Sequence, residues 1–150
     1  MNIRPANKFD LPYIINMLRH FRDNSPVDKI KECNNEVYIT TLYTHILAGR
    51  GVAIVAEYDQ PFGMIIGYID HNVWDPDIRV LKELCYWVEP DHRNTTAGYR
   101  LLKAYNDKAK ELISENRIQL YTMTKMVNSP DFDFSRFGYT KTEEVWVAGT

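Results

Sequence analysis

LKELCYWVEPDHRNTTAGYRLL, residues 81–102, changes its hydrophobic pattern twice and decides the fold. Its first half predicts a strand, because aromatic and β-branched side chains dominate it, with Leu84, Tyr86 and Val88 on one face. Pro90 cannot continue a ladder and predicts a turn. From Gly98 onward the spacing is helical, and one face of this helix carries Leu101, Leu102, Tyr105, Ala109, Leu112 and Ile113.

A strand, a polar loop and a helix N-terminus in this order are typical of an anion site. The first-turn N–H groups of a helix have no partner within the helix, and the helix dipole leaves partial positive charge there. Arg93 adds a full charge on a planar fork that suits phosphate. The alternative is an ordinary loop that Thr95 or Thr96 caps.

The segment VEPDHRNTTAGYRLL resembles the acyl-CoA-binding signature of the GNAT superfamily of N-acetyltransferases, Arg/Gln-x-x-Gly-x-Gly/Ala after a strand ending in Val-x-Pro. Arg93 matches the first position and Gly98 the last, whereas Thr96 stands where the first glycine usually is. Two further points of likeness are Arg4-Pro5-Ala6 near the start and Phe137-Gly138-Tyr139 near the end. The resemblance covers nearly the whole chain.

The resemblance implies an α/β (α+β) protein with the GNAT fold. In that fold a mixed, mostly antiparallel central sheet is flanked by helices, and one parallel strand pair surrounds the cofactor cleft. The strand containing Leu84 and the strand containing Ile118, joined by a helix, would be that parallel pair, since such crossovers are right-handed. We expect residues 1–150 to form one domain.

The resemblance also implies acetyl-CoA as donor, with loop N–H groups around its pyrophosphate and a strand edge along its pantetheine arm. The cofactor-binding residues implied are Trp87, Val88, Arg93, Asn94, Thr95, Thr96, Ala97, Gly98, Tyr99 and Asn128. For Trp87 and Val88 only the backbone is needed, and their side chains are expected in the core. For Asn128 a loop-capping role is the alternative.

Thr96 departs from the glycine that the GNAT signature usually has at this position. Glycine allows a positive φ and a close approach of the backbone to a ligand, and a β-branched residue disfavours both. Either the loop has an ordinary φ here, or cofactor binding is weakened.

Glu83 lies close to where many GNAT enzymes carry a glutamate that accepts the proton of the acceptor amine. Acetyl transfer needs a neutral amine, so a base near the thioester helps. The alternative is a solvated charge at the edge of the sheet, and a bulge in this strand would change which face Glu83 takes.

Phe134 stands where many GNAT enzymes have a tyrosine that protonates the departing thiolate, four residues before the Gly-Phe pair. Phenylalanine has no proton to give, and no tyrosine lies between Asn128 and Gly138. A thiol pKa near 8.5 makes thiolate a tolerable leaving group, so water or another tyrosine, such as Tyr121, can serve.

The remaining elements follow from periodicity and turn residues. A helix is expected after Asp10, which can cap it, with Ile14, Ile15, Leu18 and Phe21 buried. Residues 22–35 predict a loop or short helix, and residues 128–137 another. The other predicted elements are strands at Asn2–Pro5, Gly51–Tyr58, Phe62–Val73 and Arg117–Thr122, a helix at Glu36–Ala48 closed by Gly49, and strand character at Gly138-Tyr139 and Glu144–Ala148.

Composition excludes some classes of function. A net charge of −2 and a pI near 6.1 argue against a dedicated nucleic-acid or membrane binder. Cys33 and Cys85 have no metal-ligand spacing, so neither a metal site nor a disulfide framework is expected. Without a signal peptide or a long apolar run, we expect a soluble cytoplasmic protein. The sequence leaves open whether the protein is a monomer or a homodimer.

The resemblance implies an acetyl-CoA-dependent N-acetyltransferase that moves the acetyl group directly to a small-molecule or protein amine. The alternative is a catalytically weak or inactive acyl-CoA-binding module of the same fold, which Thr96 and Phe134 favour. Nucleic-acid binding is a third hypothesis, which the acidic net charge opposes. The connections 22–35 and 70–77 are expected to shape the acceptor site, where Asp23, Asp28, Asp70, Asp75 and Asp77 could attract a cationic amine.

Overall fold

The computed structural model describes residues 1–149. One five-stranded sheet has the order β1-β2-β3-β4-β5. Its strands are β1 (Asn2–Pro5), β2 (Gly51–Glu57), β3 (Pro61–His71), β4 (Arg79–Val88) and β5 (Leu120–Thr122). The helices are α1 (Leu11–Asp23), α2 (Asp28–Lys31), α3 (Glu36–His45) and α4 (Ala97–Ser114). None of the described helices is both long and apolar enough to cross a membrane.

Strand pairing confirms the predicted mixed sheet. Neighbours from β1 to β4 are antiparallel, and β4 and β5 are parallel. Parallel strands need a long crossover connection. In this chain α4 is that connection: it follows β4, packs on one face of the sheet, and leads to β5. It begins where the spacing changes at Ala97, and it ends one residue before Glu115.

Two hydrophobic layers hold the helices against the sheet. On one face, α4 buries Leu101, Leu102, Tyr105, Ala109 and Leu112, as predicted. Ile113 was expected on the same face, but its side chain is 40% exposed, because it lies at the margin of the buried stripe. On the other face, α1 and α3 contribute Ile14, Met17 and Tyr43.

A β-bulge in β4 changes which face its residues take. Ile66 of β3 pairs with Cys85, and the next residue, Gly67, pairs with Glu83, so Leu84 is the extra residue. Leu84 and Cys85 therefore both pack on the α1–α3 side of the sheet. The prediction that Leu84 shares a face with Tyr86 and Val88 is wrong, because sequence alternation assumes an unbroken ladder.

Two further predictions need correction. Among the described residues, Gly138-Tyr139 and Glu144–Ala148 form no strand, and the side chain of Trp146 is 87% exposed. Strand propensity alone does not form a ladder when no neighbouring backbone pairs with the segment. Asp10 makes no capping hydrogen bond to α1. Its carboxylate instead accepts from the Asn7 N–H and from the Arg4 guanidinium, at 2.8 and 2.7 Å.

Candidate active site

The strands β4 and β5 separate halfway along β4. Their pairing covers Val80–Lys82 against Leu120–Thr122 and then stops. From Glu83 to Val88 the edge of β4 that faces away from β3 therefore has no neighbouring strand among the described residues. Because Glu89 donates its N–H to Phe62 of β3, the N–H and C=O of Val88 point to this open edge.

The loop after β4 presents unpaired backbone donors. The N–H groups of Asn94, Thr96, Gly98 and Tyr99 donate to no acceptor within residues 1–149. The Ala97 N–H is satisfied by the hydroxyl of Thr95 at 3.2 Å, which is the capping role weighed for Thr95. The loop thus combines a threonine cap with four free donors at the N-terminus of an 18-residue helix.

Thr96 has an ordinary backbone conformation, with φ −81° and ψ 5°. The only described non-glycine residue with positive φ is Asn116, at the far end of α4. Of the two readings of Thr96, the structure therefore supports the one in which the loop needs no left-handed residue.

Arg93 is fixed at the open edge of β4. Its Nε donates to the Val88 carbonyl at 2.8 Å, and its guanidinium carbon lies 4.4 Å from the centroid of the Trp87 ring. These contacts orient the guanidinium through stacking and one hydrogen bond. Its two terminal nitrogens have no partner among the described residues.

Trp87 and Val88 both belong to the buried core, as expected for their side chains. The Trp87 ring meets Phe21 edge-on at 6.1 Å on the α1 side. Its indole Nε1–H is buried and has no acceptor among the described residues. Trp87 therefore supports Arg93 on one side and anchors α1 on the other.

Gly98 makes room for a contact between β4 and α4. The Tyr86 hydroxyl donates to the Gly98 carbonyl, and a Cβ at residue 98 would lie 3.2 Å from that hydroxyl. The glycine is thus explained by close approach rather than by positive φ. The neighbouring Tyr99 is half exposed, and its ring lies 5.5 Å from that of Phe137.

Glu83 lies where β4 and β5 begin to separate. Its Oε2 accepts a hydrogen bond from the Thr124 N–H at 3.2 Å, which bridges the gap to the chain after β5. Burial raises the pKa of this carboxyl to about 7, and the Thr124 N–H opposes the shift only in part. A half-buried carboxyl of this kind is not a freely solvated edge charge.

The hydroxyl of Tyr105 on α4 lies close to the place where β4 and β5 separate, and sequence reasoning did not identify it. The hydroxyl is buried without a partner among the described residues, and a Cβ at Gly67 would lie only 2.3 Å from it. Gly67 pairs with Glu83 across the bulge. Sequence patterns predicted Tyr105 as core, and its hydroxyl becomes notable only through the sheet register.

Phe134 belongs to a cluster of aromatic side chains. The centroid of the Phe134 ring lies 6.0 Å from that of Tyr139, and the Tyr139 ring meets the Tyr121 ring edge-on at 5.5 Å. Burial raises the pKa of Tyr139, and nearby Tyr121 and Glu83 add to the shift, so the phenol stays protonated. Its O–H donates to Asn106 Oδ1 at 2.5 Å.

Asn128 and Asp70, one of the aspartates expected near the acceptor, have partners within the protein. The side-chain amide of Asn128 donates to the Asn24 carbonyl at 2.7 Å and ties its loop to the end of α1. Asp70 forms an ion pair with Lys82 at 3.0 Å, which lowers the pKa of the Asp70 carboxyl. Within residues 1–149, no cluster of three or more His, Cys, Asp or Glu side chains could hold a metal.

A family model described as the acetyltransferase (GNAT) family matches residues 15–139. The chain belongs to this family. The match includes the β4 strand, the 93–96 loop, α4 and Phe134, so the GNAT signature identified in the sequence lies inside it. None of the curated proteins matches the chain significantly.

Solved GNAT-like structures share the fold at low sequence identity. A predicted acetyltransferase with acetyl-CoA from Clostridium acetobutylicum is 16% identical, with a TM-score of 0.74 over 99% of this chain and 95% of that one. An acetyltransferase from Trypanosoma brucei is 14% identical, with a TM-score of 0.70 over 99% of both chains. An aminoglycoside acetyltransferase from an uncultured soil sample, in complex with sisomicin, is 17% identical, with a TM-score of 0.64 over 99% and 93%.

Proposed function

We propose that this GNAT protein is an acetyl-CoA-dependent N-acetyltransferase that transfers the acetyl group directly to an amine. One observation carries the proposal. The open edge of β4 has a loop with four unpaired N–H donors at one end, next to Val88, and a carboxyl with a pKa of about 7 at the other, Glu83. Acetyl-CoA bound along this edge would have its phosphates at the loop next to Val88 and its thioester near Glu83.

The loop fits a pyrophosphate. Four free N–H groups and the positive end of α4 favour negative charge, and the terminal nitrogens of Arg93 add a charged fork. Because Arg93 is already held by Val88 and Trp87, little side-chain entropy is lost when it binds. Thr96 does not hinder this arrangement, since its φ is −81°.

The open edge of β4 fits a pantetheine arm. Residues 83–88 extend over about 16 Å at the usual rise of a strand. Backbone N–H and C=O groups on this side can pair with the amides of an extended ligand, as a strand would. The Val88 carbonyl already accepts from Arg93, so the groups nearer Glu83 are the ones available to the arm.

Glu83 fits the role of general base. When bound, acetyl-CoA supplies the acetyl group as a reactive thioester. The attacking amine must be neutral, and a carboxyl with a pKa of about 7 can take its proton near neutral pH, directly or through water. The Thr124 N–H keeps one oxygen of Glu83 in place, and the other is left for the proton.

Release of the thiolate does not depend on Phe134, which lacks a hydroxyl. A thiol pKa near 8.5 allows the thiolate to leave near neutral pH, with water as the later proton source. Tyr139 stays protonated but already donates to Asn106, whereas the Tyr121 hydroxyl has no hydrogen-bond partner among the described residues and is the phenol free for this role. We therefore propose a slow enzyme rather than an inactive one.

The proposal is tested in two steps on the purified protein. Calorimetry with acetyl-CoA should show saturable binding, and absence of binding at about 1 mM would overturn the assignment. Release of free thiol from acetyl-CoA in the presence of a panel of primary amines, polyamines and peptides should then identify the acceptor. Tight binding without thiol release beyond the amine-free control would favour the acyl-CoA-binding module instead.

A further inference from the structure

A crevice at the opposite end of the sheet collects positive charge. It has a volume of about 550 Å³, and its lining includes Arg50, His71, Arg79, Asn116 and Arg117 but no Asp or Glu. Arg79 is the first residue of β4 and Val88 the last, so this crevice lies about 30 Å along the strand from the 93–96 loop. It is therefore separate from the proposed cofactor site.

Two of the arginines are held in place by backbone carbonyls. Arg79 donates from Nε to the Arg117 carbonyl at 2.9 Å and from a terminal nitrogen to the Asn116 carbonyl at 2.6 Å. Arg117 donates to the Gly49 carbonyl at 2.8 Å. Asn116 has a left-handed backbone, φ 56°, and forms the turn that presents these carbonyls after α4.

These bonds tie β4 to the turn after α4, and that turn to the backbone at Gly49, but they leave most of the charge and most of the donors unused. A guanidinium has five N–H donors, of which Arg79 spends two and Arg117 one. Within residues 1–149, no carboxylate oxygen lies within 4.0 Å of Arg50, Arg79 or Arg117. Three like charges facing one crevice repel each other, and the carbonyls at a helix C-terminus offset only part of this.

We propose that this crevice binds a small anion carrying a phosphate or pyrophosphate group. Guanidinium forks match phosphate oxygens in geometry as well as in charge, and two of these forks are already oriented. His71 donates its Nδ1–H to the Pro76 carbonyl at 2.9 Å, so its Nε2 adds a donor for an anion only when the ring is an imidazolium. The site does not depend on acyl transfer.

The test is an NMR titration of the whole protein with inorganic phosphate, pyrophosphate and methyl phosphate in turn. The backbone amides of Arg50, Asn116 and Arg117 should shift and saturate. Arg50→Gln removes a side chain that has no hydrogen-bonded partner within residues 1–149, so the fold should survive, and affinity should fall about tenfold or more. Lys110→Gln on the exposed side of α4 removes the same charge and should change affinity less than about twofold.

Tighter binding of methyl phosphate than of phosphate would indicate a phosphorylated metabolite, and the reverse order a free anion; both support the site. Absence of saturation by about 10 mM with all three probes would overturn it. So would equal weakening by Lys110→Gln, which indicates diffuse attraction, or shifts confined to residues 93–99. In those cases Arg79 and Arg117 only hold the turn after α4 against β4 and Gly49.

Discussion

The Nε atom of Arg93 lies 2.8 Å from the carbonyl oxygen of Val88, so the arginine is bonded to the last residue of the strand that precedes it. This bond and the Trp87 ring fix the guanidinium beside the loop of free N–H groups. An arginine held in this way is ready to bind an anion without reordering, and it makes Arg93 the first residue to test.

Arg93→Ala is expected to weaken acetyl-CoA binding by roughly 1.5–3 kcal/mol, the range for hydrogen bonds to a charged group. Calorimetry on wild type and variant gives the difference. CoA and dephospho-CoA should lose similar amounts if Arg93 contacts the pyrophosphate. Lys110→Gln serves as a charge-matched control on the exposed side of α4, and a similar loss there would contradict a specific role for Arg93.

Glu83→Gln is expected to lower the acetyl-transfer rate by about 10²–10⁴, with little change in acetyl-CoA affinity, because the variant cannot accept the proton of the amine. The wild-type rate should rise with pH through the pKa of about 7. The deficit of the variant should shrink at high pH, where more amine is already neutral. Glu115→Gln, past the far end of α4, is the control, and an unaltered pH–rate profile in Glu83→Gln would rule out the base role.

The same substitution should stabilise the protein at high pH. The Glu83 carboxyl has a pKa of about 7 in the folded chain and an ordinary one near 4.3 when unfolded, so the folded state favours the protonated form. Its contribution to the unfolding free energy is present below about pH 4.3 and is lost as pH rises through 7. Chemical denaturation at pH 5 and pH 8 should show Glu83→Gln gaining on wild type by on the order of 1–3 kcal/mol between them. An equal difference at both values would contradict the raised pKa.

Thr96→Gly is expected to leave acetyl-CoA affinity unchanged or slightly lower, because the threonine already has an ordinary φ of −81°. Glycine adds conformational freedom to the unfolded chain, so the variant should lose a few tenths to about 1 kcal/mol of stability. Thr96→Ala separates the loss of the side chain from the gain of backbone freedom. Clearly tighter binding by Thr96→Gly would show that the bound loop needs a conformation that threonine resists.

Phe134→Tyr is expected to accelerate turnover or leave it unchanged, since it adds a hydroxyl where the resemblance to GNAT enzymes implies a proton donor. The ring already packs against Tyr139 and Phe132, so the added hydroxyl must find room at the edge of this group. Steady-state rates for this variant and for Phe132→Tyr test the position. Loss of activity with intact acetyl-CoA affinity would indicate that the Phe134 ring contacts the acceptor instead.

The sequence by itself determined the order of elements from β1 to β5 and the strand–loop–helix unit around residues 93–98. Periodicity, Pro90 and the helical spacing after Gly98 are local signals, and each element they predict depends mainly on residues close to it. The parallel pairing of β4 and β5 was predicted from the strand–helix–strand order and the general rule for such crossovers, without reference to any particular contact. The GNAT family model matches residues 15–139, which include these local features.

Tertiary structure alone decided the chemistry of the individual side chains. The face and pKa of Glu83 depend on the bulge at Leu84 and on Thr124, which is 41 residues away. The missing strand at Glu144–Ala148 depends on whether another backbone pairs with it, which its own sequence does not specify. The hydroxyl of Tyr105 and the crevice around Arg79 likewise arise from residues far apart in the chain, because burial and charge are properties of the packed molecule.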